Sequence, residues 1–502
     1  MSSSIKRLAG QTAIYGVTNI VGRLLNYLLV PLYTNYFLTH EFGVMVEMYS
    51  YVVFLIVILT YGMETAFFRF AQRQKEQKEQ VFSTTLLSIL ITSLLFIFFT
   101  GFYRQELANL IRYPENPEYI LWFGIIIGTD ALIAIPFARL RAENKPFRFA
   151  IIKFVGIGVN ILLVLFFILL CPWLIKNQVP VLSEWVERFY DPDIGVGYVF
   201  ISNLVASLSA AILLLPHMLR HRLDFSFVLW RQMLVYALPL MLAGLAGVIN
   251  EALDRILLKY MLPEEIAMSH LGIYGACYRV SILMVLFIQA FRFAAEPFFF
   301  AEYEKSNARE IFARVMKIFV ITCSFIFLGI MLFMDVIQYF IGKDYREGLD
   351  IVPILLIAHI FLGIYFNLSI WYKLTGQTQY GVYITLIGAI ITIALNILLI
   401  PYFGYHGSAW VHLVSYATMT IVSWYWGQKH FPVPYDIGKL LLFVLMALLL
   451  YGVHSLIPQF YSVVNWMVNI LFLCLFALAV LVADKEIRNT LKDSYNKRKT
   501  IL

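Results

Sequence analysis

The chain is short of charged residues, and this shortage limits the classes of protein to which it can belong. Only 14% of its 502 residues are Asp, Glu, Lys or Arg, whereas 61% are hydrophobic; soluble domains carry about 25% charged residues. A soluble protein of this composition would expose large apolar patches. A soluble enzyme, a nucleic-acid-binding module and a disordered protein are therefore excluded, and the excess apolar surface is expected to face lipid.

Cysteine is also scarce, and the positions of the cysteines do not indicate a disulfide or a metal site. None of the four cysteines belongs to a CxxC pair or a metal-ligand spacing, so neither a disulfide nor a metal site is indicated. They are Cys171, Cys277, Cys323 and Cys474. The sequence also lacks a Walker loop and the GxSxG and HExxH motifs, which are signatures of ATP-driven pumping and proteolysis. We expect no cofactor and no enzymatic activity.

Long apolar runs are what the chain does contain. A membrane-spanning helix needs about 20 mainly apolar residues, and fourteen segments reach that length. The sequence therefore predicts an all-α integral membrane protein with 14 transmembrane helices, the first of them an uncleaved anchor. The segments lie near 10–37, 42–67, 81–103, 118–138, 147–171, 194–215, 233–260, 271–297, 314–340, 350–374, 379–400, 405–427, 437–457 and 463–483.

The placement of Lys and Arg predicts the orientation of these helices. If the N-terminus is inside, 27 of the 38 cations lie in the inner connections and ends, and seven lie in the outer connections. Cytoplasmic loops carry such an excess, so both termini are expected in the cytoplasm. Cations near the ends of a span are counted here with the adjacent connection. The other four cations, Arg23, Arg255, Arg279 and Arg292, are counted with the spans themselves.

Two pairs of similar segments indicate an internal repeat. Glu41–Val44 resembles His270–Ile273, and Asn160–Leu163 is repeated as Asn396–Leu399. Both halves begin on the cytoplasmic side, so the repeat is parallel, which is a transporter architecture. The predicted divisions are residues 1–220, a six-helix N-lobe; 221–430, a six-helix C-lobe; and 431–502, two further helices with a basic tail.

Polar residues recur on one face of the first predicted helix, at intervals of three or four residues. They are Thr12, Tyr15, Asn19, Arg23 and Asn26. A charge at mid-bilayer costs about 2.5–3.5 kcal/mol on insertion scales, so such residues normally face a cavity or a partner. We favour a cavity wall in which Arg23 points at an anion. The alternative is a polar seam against a neighbouring helix.

The seventh predicted helix carries three charged residues, Glu251, Asp254 and Arg255. Glu251 and Arg255 are four residues apart, in the order that favours a helical ion pair. Arg255 is a candidate for substrate binding, and Glu251 and Asp254 are candidates for ion coupling. A structural pair near the outer interface is the alternative.

The eighth predicted helix has a second polar stripe, formed by Gln289, Arg292 and Glu296, and Arg279 lies towards its outer half. Arg279, Gln289 and Arg292 are candidates for lining a cavity. Glu296 is also explained as a residue that neutralises Arg292.

Among the acidic residues of the first half, Asp130 stands deepest in a predicted span, six residues before Pro136. A carboxyl group there is suited to carrying a proton during transport. Glu64 is a second candidate for ion coupling, but its neighbour Arg69 makes a structural pair at the inner rim equally reasonable. Glu47 is the third acidic candidate of this half.

Three segments carry a family resemblance that extends over essentially the whole chain: 136–145, 238–258 and the Gly404–Ala409 turn. In these segments the chain resembles the polysaccharide and O-antigen flippases (Wzx-type) of the multidrug/oligosaccharidyl-lipid/polysaccharide exporter superfamily. The resemblance implies two six-helix lobes in a V around a central cavity, plus two C-terminal helices. It also implies alternating access, a bacterial inner-membrane location and no catalytic residues.

The substrate that this resemblance implies is an undecaprenyl-diphosphate-linked oligosaccharide, moved from the cytoplasmic to the periplasmic leaflet. Its expected partners are membrane lipids, a polysaccharide polymerase and chain-length machinery, with no nucleic acid, and a monomer is expected. The family's cavity cations match Arg23, Arg279 and Arg292 by location only. Arg suits a diphosphate because it binds phosphate oxygens in a bidentate way and stays charged when buried.

Three other functions compete with this interpretation. A lipid II flippase shares the fold and a basic cavity, and a drug/cation antiporter of the same superfamily would favour an acidic one. A membrane polysaccharide polymerase would need a large outer loop with paired acids. The longest outer stretch, 172–193, offers only Asp191, Asp193 and a few more charges, and is expected to form a short interfacial helix.

Overall fold

The computed structural model describes residues 16–18, 20–73, 75–219, 224–457, 462–484, 486 and 488–489, and no strand occurs among them. Twelve helices are long and apolar enough to cross a membrane, so the chain is an all-α, multi-pass membrane protein. We label them α1, Thr39–Arg73; α2, Lys78–Phe102; α3, Pro117–Ala142; α4, Pro146–Lys176; α5, Gly197–Leu219; α6, Phe227–Met261; α7, Glu264–Glu302; α8, Ala308–Leu332; α9, Lys343–Leu374; α10, Gln379–His430; α11, Ile437–Ser455; and α12, Val463–Ala483.

The α10 helix covers two of the predicted segments. Its 52 residues would extend about 78 Å in a straight helix, more than twice the roughly 30 Å hydrocarbon core. Gly404 divides it into 379–403 and 405–430, with φ 54° and ψ −135°, a backbone conformation that only glycine adopts readily. The Gly404 turn therefore lets the chain reverse between two apolar runs.

The first predicted segment, near 10–37, lies partly outside the described residues. Its described part is helical over residues 20–27 and again over Val30–Tyr36, with a turn between them. In the stretch 172–193, a short helix forms at Leu182–Glu187. Stacked rings of Tyr190 and Tyr198, with centroids 5.0 Å apart, hold the end of this stretch against α5.

The chain forms two compact units. Unit 1 comprises residues 1–276 and 389–408, and unit 2 comprises 277–388 and 409–502. In unit 1, α3 packs against α2 and α5, α4 packs against α5, and α6 packs against α1. In unit 2, α8 packs against α9, α11 and α12. The division at residues 220 and 430 stays a prediction.

Within unit 1, α1 and α7 approach most closely at two glycines of the predicted repeat. A Cβ on Gly43 would lie 2.1 Å from the carbonyl oxygen of Met268, and one on Gly272 would lie 1.9 Å from that of Thr39. Thr39 also donates a hydrogen bond to Ser269 Oγ at 3.1 Å. Since carbonyls of helix backbones cannot swing aside as side chains do, this crossing requires glycine on both helices.

We predict that Gly43→Ala and Gly272→Ala each destabilise the protein by about 1–3 kcal/mol, the usual cost of overpacking. Thermal unfolding in detergent measures the effect. Gly247→Ala is the matched control, because a Cβ there meets no atom within 4 Å. Equal unfolding midpoints for all three variants would contradict the backbone contact.

Candidate functional site

A cavity of about 260 Å³ lies within unit 1, among α3, α4, α5 and the helical segment at 20–27. We call it the polar cavity, after its polar lining residues, which are Asn26, Asp130, Lys153, Asn160, Asn203 and Ser207. Small residues, among them Gly156 and Ala210, form part of its wall. Of the residues predicted from the sequence, Asn26 and Asp130 are brought together here.

Asp130 and Lys153 give the polar cavity two opposite charges. Asp130 lines the cavity together with Ser207, and its carboxylate is attracted by the Lys153 ammonium. Sequence alone places Lys153 among the charges that flank a span, because it stands near the start of a helix. The signal that could have identified it is its spacing of seven residues, two helical turns, from Asn160.

Arg23 lies on the exposed side of the helical segment, one turn before Asn26, so the two residues share a face. Beside them Gly22 faces α4, where an added Cβ would lie 2.7 Å from Ile157 Cδ1. This close packing positions the segment along the polar cavity. Asn19, predicted on the same face, lies outside the described residues.

Asp254 belongs to a buried polar region in unit 1, on α6, α7 and α10. Its carboxylate accepts a hydrogen bond from the buried Tyr274 hydroxyl. One turn earlier, Asn250 Oδ1 accepts a hydrogen bond from Thr392 at 3.0 Å. Asn396 Nδ2 donates to the Thr392 carbonyl at 2.9 Å. Asp254 thus lies one helical turn from a set of hydrogen-bonded polar side chains, as expected for a buried carboxylate in a membrane-spanning helix.

The other charged candidates of unit 1 have different surroundings. Glu251 is exposed, and Arg255 Nη1 donates to the Glu251 carbonyl oxygen at 3.0 Å. Glu64 Oε1 lies 2.5 Å from Arg141 Nη2, while Arg69 covers the Tyr236 ring at 4.1 Å. Glu64 therefore pairs with a residue of α3 rather than with its neighbour in the sequence.

Three charged residues of unit 2 form what we call the cation cluster: Arg292, Glu296 and Lys373. Lys373 Nζ lies 2.8 Å from Glu296 Oε1, and Arg292 Nε lies 3.9 Å from Glu296 Oε2. The exposed Arg292 guanidinium covers the Phe366 ring at 4.6 Å. One carboxylate thus faces two cations, so the cluster has a net positive charge.

The remaining predicted residues of α7, Arg279 and Gln289, are half-buried. Gln289 lies one turn before Arg292, as the predicted stripe requires. Lys373 was not identified from the sequence, because its position on α9 is 77 residues away from Glu296 along the chain.

A buried ion pair in unit 1 joins two residues that the sequence gives no reason to pair. Lys259 Nζ lies 2.9 Å from Glu47 Oε2, and the two residues are 4% and 0% exposed. The hydroxyls of Tyr51 and Tyr113 donate to Glu47 at 2.6 and 2.5 Å. Burial, followed by the nearby Glu47 charge, raises the pKa of Tyr113, so its hydroxyl remains a donor. Glu47 is thereby fixed as a structural anion.

Comparison with known proteins agrees with this membrane architecture. The sequence family described as "Polysaccharide biosynthesis protein" matches residues 8–302. No curated protein sequence matches the chain. The lipid II flippase MurJ in an inward closed conformation is similar in structure, with TM-score 0.69, 14% identity, and coverage of 94% of this chain and 99% of that one.

Two further solved structures share the fold. An inward-facing multidrug resistance MATE family transporter of the MOP superfamily has TM-score 0.59 and 16% identity, covering 86% of this chain and 94% of that one. A MOP superfamily transporter from Pyrococcus furiosus has TM-score 0.57 and 14% identity, with coverage of 85% and 94%. These structural neighbours are transporters rather than enzymes.

We predict that Glu47→Ala destabilises the protein by about 3–5 kcal/mol, because it leaves the Lys259 ammonium buried without its carboxylate. Adding Lys259→Met to that variant should recover much of the loss. Unfolding in detergent gives the measurement. Lys305→Ala, which breaks an exposed pair with Glu302, should cost less than about 1 kcal/mol. Similar losses at both pairs would show that Glu47 is not a buried structural anion.

Proposed function

The chain belongs to the polysaccharide biosynthesis protein family, and we propose that it is a flippase for an undecaprenyl-diphosphate-linked oligosaccharide. It would carry this lipid from the cytoplasmic to the periplasmic leaflet by alternating access, for synthesis of a surface polysaccharide such as the O-antigen of lipopolysaccharide. The observation that carries the proposal is the placement of cations and carboxamides, such as Arg292, Lys153 and Asn160, on helices that can cross a membrane.

The two parts of this substrate need different surroundings. The prenyl tail is stable in hydrocarbon, whereas the diphosphate and the glycan cannot be buried there without compensating hydrogen bonds. The cation cluster supplies positive charge in excess of its one carboxylate, which suits phosphate oxygens. We assign Arg23, Arg279 and Arg292 to the diphosphate, and Asn19, Asn26, Arg255 and Gln289 to the polar wall along which the head group moves.

We infer fourteen membrane crossings in total. Twelve are α1 to α12, α10 contributes a second crossing because of the break at Gly404, and the segment before Thr39 provides the first. The proposed lobes, 1–220 and 221–430, form a V around a central cavity, and 431–502 adds two helices. The excess of Lys and Arg in the inner connections supports cytoplasmic termini in a bacterial inner membrane.

Ion coupling is proposed for two of the four acidic candidates. Asp130 lies in the polar cavity and Asp254 in a buried polar region, where uptake of an ion would change the local charge balance. Glu64 is held by Arg141, and Glu251 is exposed. Asp130 is the stronger candidate for a proton carrier, because the Lys153 ammonium beside it can balance the negative charge of its carboxylate once the proton has left.

A lipid II flippase is the second candidate function, and the similarity to MurJ favours it. Both substrates are polyprenyl diphosphates, so the same cations would serve either. A drug/cation antiporter fits less well, since the cation cluster is positive. Transport of lipid II and of a lipid-linked oligosaccharide by the purified protein in the same vesicles separates the two functions. A polymerase and chain-length machinery remain the proposed partners of a monomeric flippase.

We expect Arg23→Ala and Arg292→Ala to abolish flipping of lipid-linked oligosaccharide in proteoliposomes, because each removes a proposed donor to the diphosphate. The amount of folded protein in the membrane should not change. Arg188→Ala, at an exposed position outside the twelve helices, is the control and should flip normally. Normal activity of both the Arg23→Ala and the Arg292→Ala variants would contradict the assignment of these cations to the diphosphate.

Asp130→Asn should flatten the dependence of flipping on pH, because a carboxamide cannot take up a proton. The rate is measured in proteoliposomes over a range of internal and external pH. A profile identical to that of the unmodified protein would exclude Asp130 as the proton carrier.

A further inference from the structure

The polar cavity has the donors and acceptors of a site for hydroxyl groups. Its lining includes the side-chain amides of Asn26, Asn160 and Asn203 and the hydroxyl of Ser207. Each amide has two donor hydrogens and an acceptor oxygen, and a hydroxyl both donates and accepts. A ligand that carries several hydroxyls can pair with all of these groups at once.

The charges of the cavity favour a neutral ligand. Asp130 and Lys153 attract each other, and Lys153 Nζ also lies 4.4 Å from the Phe137 ring centre. The ammonium opposes entry of a metal cation, and the carboxylate opposes entry of an anion. The arrangement is therefore suited to neutral polar groups, to which both charges can still form hydrogen bonds.

Two asparagines related by the predicted repeat have different surroundings. Asn396 Oδ1 accepts a hydrogen bond from Ser408 at 3.1 Å, so its acceptor is paired within the protein. Asn160 Oδ1 is also buried, but the described part of the chain offers it no donor. Leaving a buried acceptor unpaired costs about 1–3 kcal/mol. A ligand hydroxyl in the polar cavity would supply the missing donor.

The size and position of the cavity limit which part of a glycan it can hold. Pockets for drug-sized ligands measure roughly 300–1,000 Å³, so a cavity of about 260 Å³ suits one sugar ring rather than an oligosaccharide. Asn26, in the cavity wall, lies three residues after Arg23. Their Cβ atoms are then about 5–6 Å apart, so a phosphate at Arg23 would lie next to a sugar at Asn26.

We propose that the polar cavity binds the sugar residue that is bonded directly to the diphosphate. This proposal rests on the proposed flippase function, and it adds a subsite that distinguishes glycosylated from bare polyprenyl diphosphate. Asn160, Asn203 and Ser207 bind the sugar hydroxyls, and Lys153 and Asp130 orient the ring by charge-assisted hydrogen bonds.

Native mass spectrometry of the purified protein tests the proposal with two kinds of probe. One is undecaprenyl diphosphate, and the other is a set of undecaprenyl diphosphates that each carry glucose, galactose or N-acetylglucosamine. The unmodified protein should prefer at least one glycosylated lipid. Asn160→Leu and Asn203→Ala should each reduce that preference roughly tenfold, equivalent to one or two hydrogen bonds, without changing the affinity for undecaprenyl diphosphate.

Ser207→Ala and Ser209→Ala form a matched pair on α5. Ser207 lines the cavity, whereas Ser209 is not among the cavity-lining residues that the structure describes and donates a hydrogen bond to the Val205 carbonyl of its own helix. The first change should reduce the preference and the second should not.

Two results would overturn the subsite. They are no preference in the unmodified protein and an unchanged preference in folded Asn160→Leu and Asn203→Ala. Failure of the unmodified protein to bind any polyprenyl diphosphate would instead contradict the proposed function itself.

Discussion

Polar groups that lie in hydrocarbon need partners there, and this constraint organises the chain from its helices to its charges. Backbone groups are satisfied by helices. Glu47 is satisfied by Lys259 and two tyrosine hydroxyls, and Asn396 is satisfied by Ser408. Among the described residues, the functional candidates are the places where polar groups are satisfied incompletely, as at Asn160, or with an excess of one charge, as in the cation cluster. A substrate can bind at those places, because the contacts within the protein leave hydrogen-bonding capacity or charge available.

Much of the fold could be predicted from the sequence, because the length of an apolar run shows whether its helix can cross the hydrocarbon core of a membrane. The twelve long helices follow the predicted segments, and the position of Gly404 explains why two of those segments form one broken helix. The contact of Gly43 with α7 could not be predicted, although both glycines belong to the repeat. Sequence periodicity shows which residues share a face, but it does not show which two faces meet.

The candidate site was predicted less completely. Arg292 and Glu296 lie together, as their spacing along one helix indicated. Asp130 and Asn26 are candidates on different helices, and the structure brings them into one cavity. Lys153, Asn203 and Lys373 join them only through packing between helices, so spacing could not identify them. Lys153 was missed for a further reason. A lysine near the end of a membrane-spanning helix normally indicates which end faces the cytoplasm, and not a binding site. Charge near a predicted interface can therefore belong to a site.

The central claim is that this chain moves a complete lipid-linked oligosaccharide across the membrane. Its most direct test is to deplete the protein from cells and identify the accumulated lipids by mass spectrometry, with enzymatic access used to report their leaflet. The proposed function predicts complete lipid-linked repeat units on the cytoplasmic leaflet. Accumulation of single units on the periplasmic leaflet would indicate a polymerase instead, and an unchanged lipid pool would contradict the claim.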